Sequence, residues 1–278
     1  MTIHIVTDSA CDVPQEIVSQ NPINIVPLYI NIGNQSYLDG IEMSREHFYD
    51  NLNKFPNHPQ TAAPGSETFT KYYNEAAQNG ADEVFSIHVA GSLSAVLHSA
   101  QKGAKEAKIP VTVHNSGQLA LGAGLQVIAA VRAAAEGANV KEIKKIVEDL
   151  GKRTYVFAVL DTIKFLQRSG RLSMTMLGVG SLLHIKPLIK MHKDEAISEK
   201  VTTHIRAIHR LLKLTESLGP LEHLSMVHTN AKEAAQRLYE KAAYLIPNGN
   251  QPYYQSVTPV IGTHVGPNVV GFVAVTRS

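Results

Sequence analysis

The chain has 278 residues, 44% of them hydrophobic and 18% charged, an ordinary globular balance with room for one large core or two modest ones. Lys plus Arg number 26 against 24 Asp plus Glu, and a net charge of +2 excludes the basic footprint of a nucleic-acid or anionic-membrane binder. A single cysteine, Cys11, excludes an internal disulfide framework and fits a reducing compartment.

The opening stretch MTIHIVTDSACDVP has no basic region and no long apolar run, so it does not read as a signal peptide. Within it, IHIVT (3–7) reads as a short apolar strand that runs into a short helix at Pro14, where a missing N–H is tolerated. The alternation and turn residues of IVPLYINIGNQSYLDG (25–40) predict a strand or hairpin at a sheet edge. Residues 58–80 read as a polar, Pro-flanked loop carrying Thr61, then a helix with Ser66 as N-cap and Gly80 as its stop. A second strand, EVFSIHV (83–89), runs through AGSLS into the helical AVLHSAQKGAKEA. A third, VTVH (111–114), runs through NSGQ into a long helix from Leu119 to about Glu136. Residues 119–138 are the best candidate for a membrane span, but Gln126 and Arg132 interrupt them and the run is short. A buried core helix in a soluble, cytoplasmic protein is expected instead.

Strands alternating with helices predict an N-terminal three-layer α/β/α domain with a mainly parallel sheet. In open sheets of this kind a ligand sits outside the carboxyl ends of the strands. Three strands here end in Asp8–Ser9, Ser92–Leu93–Ser94 and Asn115–Ser116, each ahead of a helix start with free N–H groups. Those residues serve as helix caps, or they converge on one edge to hold an anion or carboxylate.

The pattern changes near GKRTYVFAVLD (151–161), which places a boundary near residue 152 and divides the chain into 1–152 and 153–278. The second part reads as a C-terminal α/β domain with a mixed sheet. Residues 162–183 predict helix, tight basic turn, helix. Residues 184–202 predict a hairpin around KDEA, in which Pro187 argues for an edge strand or a bulge. Residues 203–219 and 231–245 have helical spacing, and HLSMVH (223–228) and VVGFVAVT (269–276) supply further strands.

Several motifs fail on spacing. In GSLSA (91–95), Ser94 stands three residues after Gly91, and Ala95 leaves no second glycine for a nucleophile elbow. GAG (122–124) lacks the third glycine of a dinucleotide fingerprint, and no P-loop occurs. No Cys/His cluster has zinc-site spacing, and His4 and His88 fall in strands where core packing is expected of them. Two features stay open. In QRSGRLS (167–173), Arg168 and Arg171 flank a Ser169–Gly170 turn, either a solvated connection or guanidinium groups aimed at an anion. In PVIGTHVGPNVVG (259–271), His264 sits among glycines, prolines and valines with no nearby charge, as in a short turn carrying one chemically useful side chain.

Seven stretches, taken in order, resemble the DegV family of bacterial fatty-acid-binding proteins: TDSACDVP, VPLYINIGNQSYLDG, TAAPGSETF, GSLSAVLHSA, FLQRSGRLS, LLHIKPLIK and IGTHVGPNVVG. The resemblance implies a two-domain α/β fold with a long-chain acid in an apolar tunnel between the domains, and no metal or cofactor. It implies that Thr61 and Ser94 hold the carboxylate, with His264 nearby, where glycines let the second domain's backbone approach the first. Ser9, Ser92 and Ser116 are secondary candidates for the ligand. The resemblance also implies that Arg171, with Arg168 beside it, serves a separate ATP-dependent fatty acid kinase that turns the presented acid into an acyl phosphate. The chain departs from the family pattern at Ala62, Ala95, Val96, Leu97, Asn115 and Ser169, changes that remove polar groups around the head-group loops. The rival expectation is an enzyme in its own right. A hydrolase would need Ser94 and His264 as nucleophile and base, and a relative of the dihydroxyacetone kinase substrate domain would use a histidine as covalent ligand.

Overall fold

The computed structural model describes residues 2–171 and 185–277. The second helix expected within 162–183 therefore lies outside the described residues. The first half holds strands β1 (Ile3–Asp8), β2 (Ile23–Val26), β3 (Tyr29–Ile32), β4 (Gln35–Leu38), β5 (Gln60–Ala62), β6 (Glu83–His88) and β7 (Val111–Asn115). The second half holds β8 (Thr154–Val159), β9 (Lys186–His192), β10 (Glu195–Val201), β11 (Leu221–His228), β12 (Tyr254–Ser256) and β13 (Val270–Thr276).

Strands β2-β1-β6-β7 form an all-parallel sheet, as the alternation of strands and helices predicts. The second sheet, β10-β9-β8-β13-β11-β12, is mixed: β11 and β12 run parallel and the other pairs antiparallel. Both match the expected α/β class.

The sheet edge expected at residues 25–40 is corrected. The β3–β4 hairpin leaves the parallel sheet and joins β5 in a separate sheet, β4-β3-β5, with Thr61 opposite Ile30. Thr61 thus lies in a short strand rather than a loop, a conformation its β-branched side chain favours. The helix Ser66–Gln78 is capped by Gly65, not Ser66; Gly65 takes the extended cap geometry (φ −68°, ψ 166°) and Ser66 is already helical. Pro187 does not mark an edge. Strand β9 lies between β8 and β10, and Pro187 sits at its beginning, where its carbonyl accepts a hydrogen bond from Leu160 N (2.9 Å). A helix at Val140–Arg153 was not expected, although Asn139 and Glu142 form a reciprocal capping box at its start.

The helix Ala120–Ala135 explains why residues 119–138 look like a membrane span. Twelve of its sixteen residues are buried. Its core neighbours include Ile5 and Ile87 of the parallel sheet and Val156, Val273 and Val275 of the mixed sheet. A helix packed between two sheets has no polar face to show. No helix among the described residues is long and apolar enough to cross a membrane.

The mixed sheet buries Phe157, Leu188, Val270 and Phe272 in a core shared with the helices His204–Glu216 and Lys232–Lys241. Ala158, Ile189 and Ala196 belong to a different cluster, together with Leu160, Leu166, Val265 and Val269. The alternation along each strand thus leaves a second apolar face, and the candidate site is built against it.

Candidate functional site

A mostly apolar pocket is lined by residues from both halves of the chain. Ala10, Leu28, Val89, Leu93 and Leu119 come from the first half, and Leu166, Ile189, Ala196, Val260, Ile261 and Val265 from the second. The polar side chains on its wall are Thr61, Ser94, Arg171 and His264. Apolar walls with a few converging polar groups are the usual form of a small-molecule site.

Each polar residue is brought there by a different element. Thr61 is held by its pairing in β5. Ser94 is not the N-cap of the helix Val96–Glu106, a position held by Ala95 with no side-chain cap; it stands one residue earlier, where its Oγ accepts a hydrogen bond from Val96 N (3.3 Å). His264 lies not in a turn but in the short helix Pro259–Val265, which begins with Pro259 where a missing N–H costs nothing. Gly266 ends that helix at φ +79°; a Cβ there would run into the ring of Phe165, from the neighbouring helix Lys164–Ser169. A Cβ at Gly262 would run into the hydroxyl and ring of Tyr49, so this glycine lets second-half backbone lie against a first-half side chain.

The Thr61 hydroxyl and His264 Nε2 are hydrogen-bonded at 2.9 Å across 203 positions of sequence. His264 Nδ1 is buried and has no partner among the described residues. In either tautomer the pair keeps one proton free: on Nδ1 if Thr61 donates to Nε2, on the hydroxyl if Nε2–H donates to Thr61. Burial pushes the His264 pKa down to about 3, with the positive charge of Arg171 adding to the effect. The folded imidazole stays neutral between about 3 and the ordinary 6.5, where an unfolded one gains a proton, so its stabilising contribution is lost as pH falls through that window. An NMR titration from pH 8 to 5 is expected to show no protonation of His264. A midpoint near the ordinary histidine value would mean a wet site and defeat the apolar-pocket description.

A buried polar cluster holds the His264 helix in place. The Asp12 carboxylate accepts hydrogen bonds from Thr258 N (3.1 and 3.2 Å) and from the Arg45 guanidinium (3.0 Å). Arg45 also donates to the Ser256 carbonyl, and the Tyr49 hydroxyl to the Val257 carbonyl (2.9 Å). The Thr258 hydroxyl donates to Asp39 (2.5 Å). The segment 256–258, just ahead of the His264 helix, is thereby tied to the first half. Burial pushes the Asp12 pKa up to about 7 against the opposing pull of Arg45 and the Thr258 N–H, and burial raises that of Asp39 as well.

Of the remaining sequence candidates, only Arg171 is on the described pocket wall. Arg171 lines the pocket and its guanidinium donates to the Ser169 carbonyl (2.7 Å); Arg168 is exposed and does not line the pocket. Ser9 Oγ accepts from Leu28 N (3.2 Å) and Ser116 Oγ donates to the Gln118 carbonyl (3.2 Å), both outside the pocket lining. Ser92 Oγ donates to Asp194 (3.1 Å). Asn115 caps no helix: it ends β7, and its Oδ1 accepts from Gly91 N (3.2 Å) and Gly117 N (3.0 Å). Among the described residues Ser94 makes no hydrogen bond to His264, and no carboxylate is hydrogen-bonded to the imidazole.

A carboxylate–imidazole–hydroxyl chain does occur, but inside the core. Asp8 Oδ2 meets His88 Nδ1 at 3.0 Å, His88 Nε2 meets Ser86 Oγ at 2.7 Å, and Tyr73 closes the chain at 3.0 Å. Asp8, Ser86, His88 and Tyr73 are all buried, so no substrate reaches them. His88 is a satisfied core histidine rather than a purely apolar packing residue.

A family model described as uncharacterised protein, DegV family, matches residues 2–277. A DegV domain-containing protein of Streptomyces coelicolor is 30% identical over 280 residues, covering 99% of each chain. Protein DegV of Bacillus subtilis is 30% identical over 278 residues, covering 98% of each. Among solved structures, a DegV family protein from Thermus thermophilus, described by its fatty acid binding, superposes with a TM-score of 0.90 at 27% identity, covering 100% of both chains. DegV from Bacillus subtilis, described as a fatty acid binding protein, superposes with a TM-score of 0.90 at 28% identity, again over 100% of both chains.

Proposed function

Because this chain belongs to the DegV family, we propose that it binds a long-chain fatty acid and presents the carboxylate to a partner kinase that makes an acyl phosphate from ATP. The observation that carries the binding half is the composition of the pocket. Its described lining is apolar except for Thr61, Ser94, Arg171 and His264, and His264 brings a buried Nδ1 with no partner among the described residues. An alkyl chain suits those walls, and a carboxylate needs those donors, because an ionised group buried without them would be far too costly. In this reading the chain divides near residue 152 into a part with the head-group loops, 1–152, and a mixed α/β part, 153–278. The acid lies between them. The protein acts as a carrier and the chemistry belongs to the kinase.

Arg171 is the residue for the kinase. It is exposed, yet it reaches the pocket wall beside Ser94, so it stands between the bound head group and the outside. Arg168 is assigned to the partner surface only. The Arg171→Ala chain is expected to retain its acid, measured by denaturing extraction and mass spectrometry, and to lose acyl-phosphate formation with the kinase. Undiminished acyl phosphate would remove Arg171 from the mechanism, and loss of the acid would place it in the head-group site. No long-chain acid extracted from either the variant or the unmodified chain would overturn the fatty-acid reading itself.

A further inference from the structure

We propose that Asp194, at the tip of the β9–β10 hairpin, is a positioning residue for carboxylate recognition: it grips the head-group loop and so sets where Ser94 stands. This rests on the reading that the pocket takes a fatty acid through its carboxylate. Lys193 (φ 49°) and Asp194 (φ 66°) form the two-residue turn of the hairpin, with both residues left-handed, which suits the twist of paired strands. Asp and Asn tolerate that conformation better than other side chains. From this turn the Asp194 carboxylate reaches two strand-end loops of the first half. Its Oδ1 accepts from Ser92 N (3.3 Å) and Ser92 Oγ (3.1 Å), and its Oδ2 accepts from Asn115 Nδ2 (3.1 Å). Its backbone N–H donates to the Gly117 carbonyl (2.9 Å). Asn115 in turn accepts from Gly91 N (3.2 Å), so the loop 91–92 is held from both sides.

Ser94 is two residues beyond Ser92 and lines the pocket, and Leu93 between them lines it too. The same hairpin contributes Ile189 from β9 and Ala196 from β10 to the apolar wall. One supersecondary unit therefore walls the pocket with its strands and fixes the head-group loop with its tip. Loosening the tip lets the 92–94 loop move and weakens the Ser94 contact with a carboxylate, while leaving the apolar walls in place. A ligand without a carboxylate should not register the change.

Three variants test this, each titrated with a long-chain acid and with its methyl ester. Asp194→Asn keeps the turn and an acceptor for Ser92 but sets an amide NH2 against that of Asn115. Asn115→Asp sets two carboxylates against each other. The double variant restores a donor facing an acceptor, with the roles reversed, and the original charge. Each single substitution is expected to weaken acid binding about tenfold and leave ester binding unchanged, with recovery in the double variant. Charge alone cannot imitate the Asp194→Asn result, because removing a negative charge near an anion strengthens its binding. An unchanged ratio of acid to ester affinity in Asp194→Asn overturns the proposal. So does an equal loss for both ligands, which would make the hairpin a wall and nothing more, and so does failure of the double variant to recover. If the unmodified chain itself binds acid and ester equally, the carboxylate reading falls and this inference falls with it.

Discussion

Esterifying the ligand is expected to be the most damaging change that leaves the protein untouched. Moving a sixteen-carbon chain from water into an apolar pocket is worth roughly 10 kcal/mol at about 0.8 kcal/mol per methylene, before the costs of ordering. The tail therefore supplies most of the affinity, and the head group sets register. In the proposed reading the carboxylate accepts charge-assisted hydrogen bonds from the Ser94 hydroxyl and from the one free proton of the Thr61–His264 pair. Each such donor to a charged group is worth on the order of 1.5–3 kcal/mol. Thr61→Ala and Ser94→Ala are each expected to weaken acid binding about ten- to a hundredfold while still binding it. A methyl ester or fatty alcohol is expected to bind the unmodified chain at least as weakly as the acid binds either variant. Thr61→Ala carries a second effect, since it strips the buried Nε2 of His264 of its partner. Displacement of a fluorescent acid by each analogue measures all of these. Equal affinities for acid and ester, or no change on losing both hydroxyls, would mean that no carboxylate is read by these residues.

The second large effect lies in the cluster that ties the His264 helix to the first half. Arg45→Met leaves the buried carboxylates of Asp12 and Asp39 without their cation and frees the Ser256 carbonyl. Breaking a buried ion pair by removing one partner costs about 3–5 kcal/mol, and the lower end applies because the Arg45 side chain is 31% exposed. The loss should depend on pH with a definite sign. In the unmodified chain the folded Asp12 holds a proton up to about pH 7 that an unfolded aspartate releases near its ordinary value of 3.8. Its contribution to stability is therefore full at low pH and declines as pH rises through that window. Removing Arg45 raises the Asp12 pKa further, because Arg45 opposes the effect of burial. The penalty of Arg45→Met is thus expected to be largest above pH 7 and to shrink toward pH 5, measured as the difference in unfolding free energy between the two chains. A penalty independent of pH would show that Asp12 does not change its protonation state over this range. The acid affinity of the variant should fall as well, since the segment leading to His264 is released.

Much of the architecture was readable in the chain because it rests on local chemistry. Apolar strands followed by helical spacing located β1, β6, β7 and the helices after them, since periodicity and caps are properties of neighbouring residues. The glycines and prolines around His264 marked an unusual backbone in the same way, although a helix takes the place of the expected turn because Pro259 starts one and Gly266 ends it. The helix Val140–Arg153 was overlooked even though its Asn139–Glu142 capping box was present in the sequence. The pocket is another matter. Thr61 meets His264 across 203 positions, Asp194 reaches Ser92 across 102, and Asp12 meets Thr258 across 246. A hydroxyl at a strand end looks alike in sequence whether it faces a ligand, as Ser94 can, or is taken up by a distant carboxylate, as Ser92 is. Residue type and spacing determined which side chains were available and which elements carried them. Only the packing of the mixed sheet against the first half decided which of them converge, because hydrogen bonds of about 3 Å between remote segments depend on how whole sheets dock rather than on any local pattern.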